Sequence, residues 1–112
     1  MAGATLQHWH EVIASATALR HDLHQAPELA WAEHGTARRI RSELDALGVS
    51  WRECAGTGTV ACVASSAAGR HVALRGDLDA MPIAEESGVP WTSESQGAMH
   101  ACGHDGHTAT LI

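Results

Sequence analysis

The chain has 112 residues, room for one small domain and not two, and its 45 % apolar and 18 % charged content is that of a globular protein rather than a disordered one. Thirteen acidic residues against seven basic ones give a net charge of -6, which argues against nucleic acid or an anionic membrane surface as a partner, since both are bound by displacing counterions with basic side chains. All seven basic residues are arginine, so lysine Schiff-base chemistry and a phosphate-loop lysine are excluded.

From Leu6 to His24 the apolar residues Leu6, Trp9, Ile13, Ala16, Leu19 and Leu23 recur every three or four positions, the period of an amphipathic helix. Thr5 is the expected N-cap, and Ala26-Pro27 the stop, because proline cannot continue a helix and forces the residue before it toward extended geometry. A second helix is expected over 33–47, with Ala37, Ile40, Leu44 and Leu47 on its inner face and Gly48 just past its end. Its outer face, with Arg38, Arg41 and Glu43, reads as solvated surface. After Gly48 the period changes to two, and 51–54, 59–64 and 71–76 are expected as strands, with turns at Gly56-Thr57-Gly58 and Ala68-Gly69. An irregular stretch follows from Pro82 to about Gly97, and a last helix starts near Asp105 or Thr108 and breaks off at Ile112 without a cap, as in a truncated piece of a larger protein. The fold class is therefore α/β, a mixed sheet flanked by helices.

Cys54, Cys62 and Cys102 are odd in number and widely spaced, which speaks against a disulfide framework. Cys54 and Cys62 fit small buried hydrophobes, and Trp9, Trp31, Trp51 and Trp91 fit packing positions. The first residues lack the basic start and apolar run of a signal peptide, and no run reaches the roughly 20 apolar residues of a membrane span; the cytoplasm is the expected location.

Two clusters carry chemistry. Asp77 and Asp79, at i and i+2 near the end of an expected strand, project the same way, and two such carboxylates favour a cation between or beside them. The plain alternative is a polar loop with turn hydrogen bonds. The string Met99-His100-Ala101-Cys102-Gly103-His104-Asp105-Gly106-His107 packs five residues of metal-ligating type into eight positions, and Gly103 lets Cys102 and His104 bend around one ion. Asp105 could ligate or hold an imidazole N–H. No Cys-x-x-Cys pair is present, so an open catalytic site suits the string better than a closed structural zinc. His21 and His24, at i and i+3 on the first helix, read as ordinary surface histidines.

Both clusters, in this order and about twenty residues apart, resemble the metal-dependent amidohydrolase family that includes hippurate hydrolase and the N-acyl-amino-acid and indole-acetyl-amino-acid hydrolases, within the aminoacylase and carboxypeptidase group. The segments 20–29, with its Pro27-Glu28 exit, and 56–61 resemble the same family. The resemblance implies the N-terminal part of a di-metal, aminopeptidase-like catalytic domain, with the inserted dimerisation domain absent and a parent enzyme that is a homodimer. It implies Cys102 and His104 as ligands to two divalent metal ions (Zn, Mn, Co or Ni), and Asp79 as the catalytic acidic residue that orients a ligand histidine or the metal site. Asp77, Asp105 and His107 take supporting roles. Asp77 stands where the wider carboxypeptidase group has a histidine ligand. The implied reaction is hydrolysis of small-molecule N-acyl amino acids. The family's general base and remaining ligands fall beyond Ile112, so these 112 residues alone are expected to be inert, and Glu85-Glu86, which precedes the Cys-Gly-His string, does not take the base role. Two other readings stand beside this one: Cys102 as a nucleophile with His104 or His107 as its base, and a non-enzymatic metal-binding domain.

Overall fold

A computed structural model describes Gly3 and residues 5–112. Helix α1 spans Leu6–Gln25, α2 His34–Ala46, strands β1 and β2 Trp51–Cys54 and Gly58–Ala61, and α3 His104–Leu111. The Thr5 hydroxyl accepts the His8 N–H at 3.2 Å, which caps α1 as the sequence requires, and the helix ends at Gln25, with Ala26 between it and Pro27. Its lower half packs against α3, where Leu19, Leu23 and Ala109 form a small buried core with Ile112 against it. The upper part of the apolar stripe is uncovered: Leu6, Trp9 and Ile13 are exposed.

Helix α2 has no side-chain cap of its own on Glu33. Glu28 supplies one from outside, its carboxylate accepting the Gly35 N–H at 3.0 Å, the Thr36 hydroxyl at 2.7 Å and the Thr36 N–H. Burial pushes the Glu28 carboxyl up, but these donors and the nearby Arg38 charge outweigh it and hold the group below its ordinary range. Thr36, Ala37, Ile40 and Leu44 face inward, whereas Leu47 is exposed because the helix has already ended at Ala46 and Gly48 turns the chain away in a left-handed conformation.

Strands β1 and β2 pair antiparallel, Trp51 opposite Ala61 and Cys54 opposite Gly58. Left-handed Ala55 and Gly56 make the turn, one residue earlier than the Gly56-Thr57-Gly58 reading, and Gly58 is required because a Cβ there would lie 2.5 Å from the Cys54 carbonyl oxygen. The Glu33 carboxylate accepts the Thr57 hydroxyl at 2.8 Å and ties this turn to the start of α2. Arg41, read as free surface, instead fastens the hairpin: it donates to Glu53 at 2.7 Å, Thr59 Oγ1 at 3.0 Å and the Gly58 carbonyl at 3.1 Å, and its guanidinium lies 5.1 Å from the centre of the Trp51 ring.

The expected third strand does not form. Residues 71–76 have strand periodicity but no paired neighbour among the described residues, and Val72 and Leu74 are left exposed. Among the described residues regular pairing is confined to the hairpin; beyond it stand a parallel bridge between Leu29 and Ala80 and an antiparallel one between Met81 and Met99. These two bridges hold the segment 77–81 between the Pro27-Glu28 exit and the loop that leads into α3. Cys54 and Cys62 are exposed rather than buried, since the outer face of the hairpin is uncovered. Trp9 and Trp31 are exposed as well, and Trp91 stacks on His21 at 3.8 Å. No helix among the described residues is long and apolar enough to cross a membrane.

Candidate metal centre

The site is assembled where the 77–81 segment passes the start of α3. Gly103, left-handed at φ 86°, lets the chain turn sharply from the loop into the helix, so His104 opens α3 with its ring over the segment. The Nδ1 of His104 lies 2.9 Å from the Asp79 carbonyl oxygen and 3.1 Å from its carboxylate. A carbonyl can only accept, so Nδ1 carries a proton, and in the neutral ring Nε2 is the nitrogen with the lone pair. That nitrogen lies 3.8 Å from Asp77 Oδ2. Asp77 also pairs with Arg75 at 2.6 Å, and its backbone carbonyl accepts the Thr108 hydroxyl at 3.0 Å, which pins the first turns of α3 to the segment.

The structure thus brings Asp77, Asp79 and His104 together, with the exposed His107 ring 5.9 Å from that of His104. Cys102 is exposed on the adjoining loop. Among the described residues no group of three or more His, Cys, Asp or Glu side chains is gathered closely enough to hold a metal ion. The donors nevertheless suit a borderline cation: a thiol and an imidazole flank a glycine that turns the chain, and a carboxylate fixes the imidazole tautomer that leaves Nε2 available.

Asp105 sits elsewhere, on the inward side of α3 and fully buried. Its Oδ2 faces His24 Nδ1 at 2.8 Å, with Arg20 Nε 3.4 Å from the same oxygen. The other ring nitrogen of His24 faces Glu85 Oε1 at 2.6 Å. His24 is therefore no idle surface histidine: it is buried at the point where α1 runs into the core. Burial lowers the His24 pKa, but the two carboxylates raise it by more, and the net shift is upward. Burial likewise raises the carboxyls, and donors overcome it. The His24 ring and the Gly106 N–H bring Asp105 below its ordinary value, while His24, Ser93, Ser87 and Thr92 bring Glu85 down to about 2. His100 is buried 6.3 Å from the His24 ring, and both its nitrogens and Asp105 Oδ1 lack a partner among the described residues. Burial lowers the His100 pKa.

Sequence reading missed Glu85 and the role of His24. The one available signal was the position of His24 in the last turn of α1, inside the 20–29 segment that carried the family resemblance.

Residues 73–112 match the model of peptidase family M20/M25/M40. Over this stretch the chain is similar to the M20 peptidases. It is 45 % identical over 95 residues to the N-acetyl-L-cysteine deacetylase of Bacillus subtilis, an alignment spanning 84 % of this chain and 23 % of that protein. To an uncharacterized hydrolase of Staphylococcus aureus it is 46 % identical over 94 residues, covering 83 % of this chain and 24 % of the relative. Among solved structures it is similar to the YXEP protein of Bacillus subtilis, a dinuclear metal-binding peptidase from the M20 family, with a TM-score of 0.86 and 36 % identity over 91 % of this chain and 29 % of that one. The α/β fold is thus that of M20 peptidases, and the relatives are hydrolases. The chain spans about a quarter of the length of the curated relatives it matches.

Proposed function

We propose that this chain forms the Cys102–His104 side of the metal centre of an M20-type amidohydrolase that cleaves small N-acyl amino acids. The observation that carries the reading is the His104 ring, held at Nδ1 by Asp79 so that Nε2 is presented as a ligand, one glycine away from an exposed thiol. Cys102 and His104 would hold the cations, and Asp79 is the residue that orients the imidazole. Asp77, 3.8 Å from Nε2, supports the same position with negative charge, and His107 flanks it. Two divalent ions, when bound, supply Lewis acidity toward an amide carbonyl and a water. Thiolate ligation favours zinc, cobalt or nickel, with manganese compatible with the oxygen donors. The similarity to a dinuclear peptidase supports a pair of ions, and the similarity to a deacetylase of an N-acylated amino acid supports the substrate class; a hippurate-like acyl group is the finer proposal. A polypeptide of the relatives' length supplies the general base and the other donors, and we extend to it a cytoplasmic location and a homodimeric state.

The rival reading of Cys102 as a nucleophile is less favoured, because no imidazole is hydrogen-bonded to its thiol among the described residues. The test is a Co2+ titration followed by near-ultraviolet absorption, where thiolate ligation gives a charge-transfer band. The band should appear with the wild-type chain and vanish in Cys102→Ser. A Cys102→Ser chain that binds Co2+ as the wild type does would refute the assignment.

A further inference from the structure

A second polar cluster lies behind the candidate centre, on the inward side of α3. His24 carries a carboxylate at each ring nitrogen, Asp105 at 2.8 Å and Glu85 at 2.6 Å, and the side chains of the two acids are 0 % and 2 % exposed. A neutral imidazole has one N–H and one lone pair, so between two ionised carboxylates it would set lone pair against lone pair in a buried place. An imidazolium donates to both. Arg20, 3.4 Å from the shared Asp105 oxygen, adds positive charge from the solvent side.

The cluster also has mechanical leverage. Glu85 is fixed independently, by the Ser93 N–H and by the Ser87 hydroxyl at 2.8 Å, so it is a firm anchor for His24. Asp105 adjoins His104 in the first turn of α3, a helix whose N-cap glycine has no side chain with which to hold its start. Contacts on either side of this turn fasten it to the body of the protein, His24 and Arg20 on Asp105 and Asp79 on His104, with the Thr108 hydroxyl on the Asp77 carbonyl one turn further on.

We propose that His24 is a positioning residue, an imidazolium that clamps Asp105 against Glu85 and thereby keeps the first turn of α3 where His104 Nδ1 meets Asp79 and Nε2 stays open. The inference rests on the reading of His104 as a ligand only for its consequence in metal binding; the clamp itself is a property of the chain.

The experiment is a long-range proton–nitrogen NMR spectrum of the 15N-labelled 112-residue chain, paired with the Co2+ titration. Near neutral pH both ring nitrogens of His24 should be protonated and His104 should be the Nδ1–H tautomer. In His24→Gln, His104 should lose its preference for that tautomer, and Co2+ affinity should fall by about tenfold or more, as for loss of other residues that orient a ligand. Glu85→Gln leaves the His24–Asp105 bond in place and should preserve the His104 tautomer. Should His24→Gln not fold, Asp105→Asn, which keeps an oxygen to accept from His24, is compared with Asp105→Leu, which does not: the first should retain the His104 tautomer and the second lose it. A singly protonated His24 in the wild type, an unchanged His104 in His24→Gln, or equal behaviour of the two Asp105 variants would each overturn the proposal. If the tautomers respond as stated but the wild type takes up no Co2+, the clamp stands and the ligand assignment of His104 falls.

Discussion

Replacing Glu28 by alanine removes the external cap of α2 and tests whether one carboxylate organises the junction between the two long helices. Three donors lose their acceptor: the amides of Gly35 and Thr36 and the Thr36 hydroxyl. Loss of a helix cap costs about 0.5–2 kcal/mol, and hydrogen bonds to a charged acceptor are worth about 1.5–3 kcal/mol where water is excluded. Glu28 is only partly buried, so water replaces some of what is lost, and a net cost of about 2–3 kcal/mol is expected for Glu28→Ala. For a chain of this size, with an unfolding entropy of about 2.1 cal/mol/K per residue, that is a fall in Tm of about 10 °C. The pKa of Glu28 is lowered by folding, so its contribution is present above the ordinary value of 4.5 and lost as pH falls through the folded value. The gap between wild type and variant, followed by circular dichroism on heating, should therefore be full near pH 7 and narrow as the pH is taken well below 4.5. Glu28→Gln, which keeps one oxygen and no charge, should lie about midway. A Glu28→Ala chain within about 0.5 kcal/mol of wild type, or a gap that persists unchanged in acid, would refute the capping argument.

Arg41→Ala should cost about 1–2 kcal/mol by releasing the hairpin from α2, and Arg41→Lys should recover little of it because the planar fork reaches three acceptors at once; full recovery in urea unfolding would contradict this. The His24 cluster predicts stability that peaks in mildly acidic solution. His24, with a raised pKa, contributes fully below 6.5 and loses its contribution as pH rises through the folded value, whereas Asp105 and Glu85 contribute above their ordinary values and lose it as pH falls, for Glu85 toward about 2. In His24→Met the alkaline limb of that profile should flatten, and an unaltered limb would count against the cluster. All three thiols should react with an aromatic disulfide reagent in the native chain without a slow class, since Cys54, Cys62 and Cys102 are exposed. The 112 residues alone should hydrolyse neither hippurate nor N-acetylcysteine in a chelator-sensitive way, and a clear turnover would show that the donor set here is sufficient.

Local rules were readable where local chemistry decides. Thr5, Pro27 and Gly48 bound their helices as capping and backbone sterics demand, and Trp51–Cys54 is a strand with the expected limits. The 71–76 segment was misread because alternation describes a surface that wants a neighbour and cannot tell whether one is at hand. Within the candidate site, the Cys-Gly-His spacing and the Asp77–Asp79 pair were visible as strings of ligand-type residues. The contact between Asp79 and His104, twenty-five positions apart, and above all that of His24 with Asp105 and Glu85, are products of tertiary packing. No periodicity announces them, since a histidine in the last turn of a helix looks the same in water and in a core.

The bare stripe of Leu6, Trp9 and Ile13, together with Val72 and Leu74 on an extended segment that pairs with no neighbour among the described residues, has a practical consequence for anyone handling this polypeptide. Greasy side chains beside unpaired amides are what drives chains to stick to one another, and a net charge of -6 opposes that only until salt screens it. Concentrated or salted preparations should turn turbid well before dilute, low-salt ones, and a polar replacement at Trp9 or Leu74 should delay the onset of light scattering.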